Sequence, residues 1–274
     1  MTFKPSAKHW FRITGRILVT CFCLASLAGC GEQKPLTSKI SLLFIGNSFT
    51  YVNNLPGTFA QLALSGGHPV TTGMIAPGAY KLYQHAATPF TMKTIQDQKW
   101  DYVVLQEQSQ VPSIPFEKVN EMYPAVRSMN IAIRQTGALP VLYMTWGRKN
   151  GCPEIGYSDY LTMQDQLTQG YMDIANELAI EVSPVGEAWR NAVALRPSLD
   201  LWGGDGIHPG PAGTYLAACV FYATIYQESP KGLKYMGDLD YATGDYLQGV
   251  ADQTVLTDLK RWNIPAKENK PAEK

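Results

Sequence analysis

An excess of charge of one sign is missing from this chain. Its 23 basic residues balance 23 acidic ones, which leaves no electrostatic case for a nucleic-acid partner. No apolar run reaches the roughly 20 residues that a bilayer-spanning helix needs. Histidine is scarce, with four in 274 residues, so few side chains are suited to general-base work near neutral pH. Cysteine is scarce too, with five, and no Cys or His stands at zinc-ligand spacing. Neither a metal nor any other cofactor is expected. A hydrophobic content of 45% with 11% aromatics excludes a disordered chain.

The N-terminus reads as a secretory leader over residues 1–29. Lys4, Lys8, Arg12 and Arg16 give a positive start, and no acidic residue precedes Glu32. Residues 17–29 are apolar and end in small side chains, as a cleavable segment does. Leu27-Ala28-Gly29-Cys30 resembles the bacterial lipobox, which makes Cys30 the expected lipidation site and the membrane a partner through that lipid. The expected location is outside the cytoplasm, periplasmic or at the cell surface. Residues 30–38 read as a tether, 39–264 as one folded domain of ordinary size, and 265–274 as a polar, disordered tail. Cys152 and Cys219 remain in a compartment that permits disulfides. Two separate buried thiols fit the sequence at least as well as a bridge.

Apolar runs ending at strand-stop residues predict strands over 39–45, 68–75, 101–105, 139–145 and 180–183. Helical periodicity predicts helices up to about Leu64, over 115–137, after an N-cap at Ser158, and over 184–195, 211–226 and 243–262. The alternation specifies an α/β fold, a parallel sheet covered on both faces. Ligands of such sheets sit at the carboxyl ends of the strands.

Two stretches stand at those ends with chemistry in them. Ser48, in IGNSFTYVNN, follows the first strand directly and lies where a helix N-terminus offers N–H groups. A plain N-cap serine fits the same position. Position 50 is Thr, so the G-x-S-x-G elbow is absent. His208, in GGDGIHPGPAG, has Asp205 three residues before it, where a carboxylate can fold back to orient the imidazole. Asp205 fits equally as a cap for the helix starting near Pro211. His68 and His85 have no acid nearby in sequence.

Together the two stretches resemble the SGNH, or GDSL, hydrolase superfamily. Gly46-Asn47-Ser48-Phe49 is similar to its first block and Asp205-Gly206-Ile207-His208-Pro209 to its last, over roughly residues 41–226. The resemblance implies a three-layer α/β/α sandwich of flavodoxin-like topology. It also implies a serine esterase with Ser48, Asp205 and His208 as triad, acting on a small-molecule or carbohydrate ester by acyl transfer. It further implies an oxyanion hole from the Ser48 N–H, a glycine N–H and a side-chain amide. Gly78, in MIAPGAY, is the candidate glycine. Where the family's Gly-x-Asn-Asp block would follow DYVVL, this chain has Gln106-Glu107-Gln108-Ser109, nearer the Gln-Gly-Glu-Ser block of carbohydrate acetylesterase branches. Gln106 is the candidate amide and Gln108 the reserve. Asn47 replaces the block's Asp and is given no catalytic role. Trp146, Arg148 and Trp202 read either as a sugar-binding wall or as core and rim residues. An acyltransferase, lipase or thioesterase would use the same triad. A catalytically silent glycan-binding lipoprotein is the alternative of another class, and the retained Ser, Asp and His argue against it.

Overall fold

The computed structural model describes residues 39–267. The leader, the tether with Cys30, and residues 268–274 lie outside the described residues. Five strands, β1 (Ile40–Ile45), β2 (Val70–Ile75), β3 (Tyr102–Leu105), β4 (Leu139–Tyr143) and β5 (Glu181–Ser183), form one sheet in the order β2-β1-β3-β4-β5. Every pairing is parallel. Consecutive residues Leu42, Leu43, Phe44 and Ile45 are all buried. Since neighbours on a strand point to opposite faces, both faces of the sheet must be covered. The α/β sandwich with a central parallel sheet is therefore the observed architecture.

The connections explain where the site lies. From β1 the chain steps to β2 on one side, then returns past β1 to build β3, β4 and β5 on the other. The strand order reverses between β1 and β3, and a crevice opens at their carboxyl ends. Ser48 follows β1 and Gln106 follows β3.

The helices are α1 (Leu55–Ser65), α2 (Leu82–Ala87), α3 (Pro89–Asp97), α4 (Tyr123–Gln135), α5 (Tyr160–Leu178), α6 (Val185–Leu195), α7 (Pro211–Tyr226) and α8 (Tyr241–Leu256). Helix α7 is apolar around its whole circumference and buried along its length after Pro211, as a helix enclosed between layers must be. Phe221 on α7 meets Phe44 of β1 edge to face at 5.3 Å, which fastens this helix to the sheet.

Several local expectations change. The helix over 115–137 contains a π-turn at Lys118–Met122, where Pro124 lacks the N–H that regular α-helical bonding requires. Tyr123 N accordingly reaches Lys118 O. Asp159, not Ser158, caps α5, its Oδ1 accepting from Thr162 N at 2.9 Å. The last helix stops at Leu256, and Asp258 starts a separate 3₁₀ turn, Leu259–Trp262. Helices α2 and α3 carry too short a periodicity to have been read from sequence. Cys152 and Cys219 are both free and buried. The chain beyond 264 is not all loose: Gln227 Nε2 donates to Pro265 O and Gln227 Oε1 accepts from Lys267 N.

Candidate active site

The site starts at Gly46, where β1 ends against a neighbour. A Cβ there would lie 2.3 Å from Gln106 Oε1, so only glycine lets the two strand ends approach this closely. Asn47 then caps the helical turn Ser48–Tyr51, its Oδ1 accepting from Phe49 N at 3.1 Å. Its Nδ2 donates to Tyr80 O at 2.9 Å. Ser48 stands at the first position of that turn, and among the described residues its N–H has no partner.

The second stretch is a loop closed on itself. Gly203 N donates to His208 O at 2.6 Å, Gly210 N donates to Leu201 O at 2.8 Å, and Gly206 takes a φ of 70°. Inside it, Asp205 Oδ1 accepts from the N–H groups of Ile207 and His208, each at 2.9 Å. The residue capping α7 is Gly210, so Asp205 is an internal brace of the loop and not a helix cap. Its other oxygen, Oδ2, lies 2.5 Å from His208 Nδ1. Those contacts, the imidazole first, hold the carboxyl down at about 2. Asp205 therefore stays ionised at any ordinary pH.

The two stretches meet across 160 residues of sequence: His208 Nε2 lies 2.9 Å from Ser48 Oγ. With Nδ1–H donated to Asp205, Nε2 is the lone-pair nitrogen that can take the serine proton. Asn53 ties the halves together, its Nδ2 donating to Pro209 O at 2.9 Å and to Thr214 Oγ1 at 3.0 Å. Nothing in the sequence around Asn53 signalled that tie. A cavity of 190 Å³ opens over Ser48 and His208, walled also by Ala79, Gln108 and Arg148. The arrangement has the Asp–His–Ser geometry that serine hydrolases use for nucleophilic attack.

No protein-family model and no curated protein matches the chain. Solved structures do. A Slackia heliotrinireducens protein assigned to the SGNH hydrolases is 28% identical over 68% of this chain and 99% of its own, with a TM-score of 0.60. In sequence and in fold the chain is similar to the SGNH hydrolases. A DUF4886 family protein from Bacteroides uniformis is 20% identical over 80% of this chain and 95% of its own, with a TM-score of 0.68. Axe2, an acetylxylan esterase from Geobacillus stearothermophilus, is 17% identical over 68% and 94%, with a TM-score of 0.53. These last two likenesses are of fold.

Within this site the oxyanion candidates are placed differently from expectation. Gln106 does not reach the cavity. It is fully buried, with Oε1 accepting from Asn47 N at 2.8 Å and Thr50 Oγ1 at 2.9 Å, and Nε2 donating to Asn47 Oδ1 at 2.9 Å. Its amide is committed to holding the serine turn against β3. Gln108, two residues on, lines the cavity instead. Its Oε1 accepts from Gln110 N at 2.8 Å, which leaves the amide N–H₂ with one long contact, 3.5 Å to Gln110 Oε1. In the turn after β2 the residue on the wall is Ala79, which takes a φ of 58°, and not Gly78. A left-handed alanine is strained, and the resemblance called for a glycine, which pointed to Gly78. Among the described residues neither N–H of this pair has a partner.

Trp146 and Trp202 are buried, at 1% and 7% exposure, and form no sugar-facing wall. Trp146 is stacked between Phe49 at 4.6 Å and Trp189 at 4.0 Å. Phe49 in turn presents its ring to His208 at 5.7 Å. The aromatics support the triad from below. His85 is also structural, its Nε2 donating to Gly46 O at 2.8 Å. His68 lies 2.9 Å from Glu228 Oε2, an acid brought to it by the fold.

Glu107 was not singled out in the sequence and is fully buried. Its Oε1 accepts from Gln108 N at 2.6 Å and Leu82 N at 3.1 Å, while Oε2 has no partner among the described residues. It thus joins the loop carrying Gln108 to the start of α2. Burial raises this carboxyl to about 7, against the opposing pull of those two N–H groups. From the ordinary carboxylate range up to about 7, the folded protein holds a proton that the unfolded chain has released. Stability therefore falls as pH rises through that window and levels off above it. Glu107→Gln removes the titration. Between about pH 5 and about pH 8 the stability of this variant relative to wild type should improve by roughly 2–3 kcal/mol, read from urea unfolding at both pH values. Parallel pH dependence in the two proteins would show that Glu107 stays ionised.

Proposed function

We propose that this enzyme hydrolyses short acyl esters, an acetyl ester on a carbohydrate first among them, through an acyl-enzyme on Ser48. The observation that carries the reading is the unbroken chain Asp205 Oδ2, His208 Nδ1, His208 Nε2, Ser48 Oγ, with links of 2.5 and 2.9 Å. His208 takes the hydroxyl proton as Oγ bonds to the acyl carbon. The tetrahedral oxyanion is received by the Ser48 N–H, the N–H groups of the Gly78-Ala79 turn and the Gln108 amide. The carbon–oxygen bond to the alcohol breaks as His208 returns the proton to the leaving oxygen. Water, deprotonated by the same imidazole, then attacks the acyl-enzyme and releases the acid.

A 190 Å³ cavity is small beside ordinary ligand sites of about 300–1,000 Å³. That favours an acetyl over a long acyl chain, and an esterase over a lipase. The acetylxylan esterases among the structural neighbours support a carbohydrate as the alcohol. The decisive assay is hydrolysis of 4-nitrophenyl acetate by protein lacking residues 1–30, with the Ser48→Ala variant beside it. An inert wild type that binds glycans would replace the esterase by a binding module.

We further infer from the leader and Cys30 that the enzyme works outside the cytoplasm, tethered through lipid. Cys30→Ser should move the protein from the membrane pellet to the soluble fraction. Continued sedimentation with membranes would remove Cys30 as the anchor.

A further inference from the structure

Arg148 brings a permanent positive charge to the wall of the catalytic cavity, and among the described residues no carboxylate lines that wall. Its guanidinium is poorly engaged. Nη1 donates to the thiol of Cys152 at 3.2 Å, and Nε is buried with no partner among the described residues. The next residue, Lys149, is by contrast paired with Asp200 at 2.9 Å. Glu154 feels the Arg148 charge, but its carboxylate accepts from the Cys152 thiol at 3.2 Å. Burial, with that contact, pushes the thiol's pKa up. Cys152 thus stays a neutral partner, and among the described residues no carboxylate forms an ion pair with the guanidinium, which shares the cavity wall with Ser48.

The location says which part of a substrate would meet it. Arg148 sits on the loop after β4, and that loop is bound to the histidine loop. Lys149 N donates to Gly206 O at 2.9 Å, and Trp146 Nε1 donates to Ile207 O at 3.1 Å. The imidazole hands its proton to the leaving alcohol, so the alcohol lies on the imidazole side of Ser48. The oxyanion donors come from the ends of the other strands. A fixed, unpaired guanidinium on the alcohol side matches a planar anion in the alcohol portion.

Resting on the esterase reading above, we propose that Arg148 selects esters whose alcohol carries a carboxylate, as an O-acetylated uronic acid residue does. The guanidinium holds that carboxylate by paired N–H···O bonds while Ser48 attacks the acetyl carbon.

The test compares 3-acetoxybenzoate with phenyl acetate, two acetates of similar leaving groups that differ in one carboxylate. At low salt the wild type should favour the anionic ester in kcat/KM by about tenfold. The ratio should fall toward one in high salt and in Arg148→Gln, and stay intermediate in Arg148→Lys, which keeps the charge without the fork. Benzoate should inhibit phenyl acetate hydrolysis by the wild type at least about tenfold more strongly than benzamide does, a readout that needs no variant to fold. A wild type that cleaves phenyl acetate with no preference for the anionic ester overturns the role of Arg148 alone. A preference that survives in Arg148→Gln does the same. A wild type that cleaves neither ester overturns the esterase reading and this one with it.

Discussion

Ser48→Ala should lower kcat toward a short aryl acetate by on the order of 10⁵-fold while leaving the fold intact. Removing Oγ deletes the atom to which the acyl group bonds, and no other hydroxyl among the described residues lies within hydrogen-bonding reach of His208 Nε2. What survives is water attack assisted by the oxyanion donors, a small remainder. Asn47, not Ser48, caps the helical turn, and the serine side chain's hydrogen bond is the one to His208. Thermal stability should therefore change little. A fluorophosphonate probe gives an independent reading, since it should label the wild type covalently at Ser48 and leave the variant untouched. Hydrolysis by the variant near the wild-type rate would take the nucleophile's role away from this residue.

Asp205→Asn should cost about 10⁴-fold in kcat with a far smaller change in KM. The substitution nearly preserves shape. The asparagine oxygen can keep both N–H groups of Ile207 and His208 that Oδ1 holds at 2.9 Å, so the loop stays closed. The amide N–H₂ then faces His208 Nδ1 and can only donate. Nδ1 must become the acceptor, the imidazole proton moves to Nε2, and that nitrogen can no longer take the proton from Ser48 Oγ. Steady-state kinetics together with unchanged near-UV circular dichroism would separate this tautomer effect from loss of structure. A variant within about tenfold of wild type would mean that Asp205 only braces its loop.

The arrangement of the strands was legible because each is a short apolar run, and burial on both faces leaves that trace in any parallel sheet. The triad was legible for a related reason. Ser48 sits two residues beyond Gly46, which ends the first strand, and Asp205 stands three residues from His208 in a turn rich in glycine. Both patterns are local. The choice between Gln106 and Gln108 was not, because the two amides are chemically identical. What separates them is that Gln106 faces the serine turn across the sheet, while Gln108 lies past the strand end, where the chain has turned into the cleft. Ala79 escaped notice because the resemblance called for a glycine, and the positive φ of an alanine is a tertiary outcome.

Glu107, Asn53 and Arg148 show the same division more sharply. Each is a common residue type whose sequence neighbours give no sign of the role that the fold assigns it. Glu107 becomes a shifted carboxyl only when burial removes its water, Asn53 a tie only when Pro209 arrives from 156 residues away, and Arg148 an open cation only because no acid pairs with it.

Taken by itself, the sequence determined the α/β class and the two short stretches that bring Ser48, Asp205 and His208 to the strand ends, since side-chain period and short-range turn chemistry are written in adjacent residues. Only the tertiary structure decided which amide faces the cleft, which carboxyl loses its solvent and which guanidinium is left unpaired. Solvation and pairing depend on every group within a few ångströms, and the chain brings those groups from opposite ends of itself.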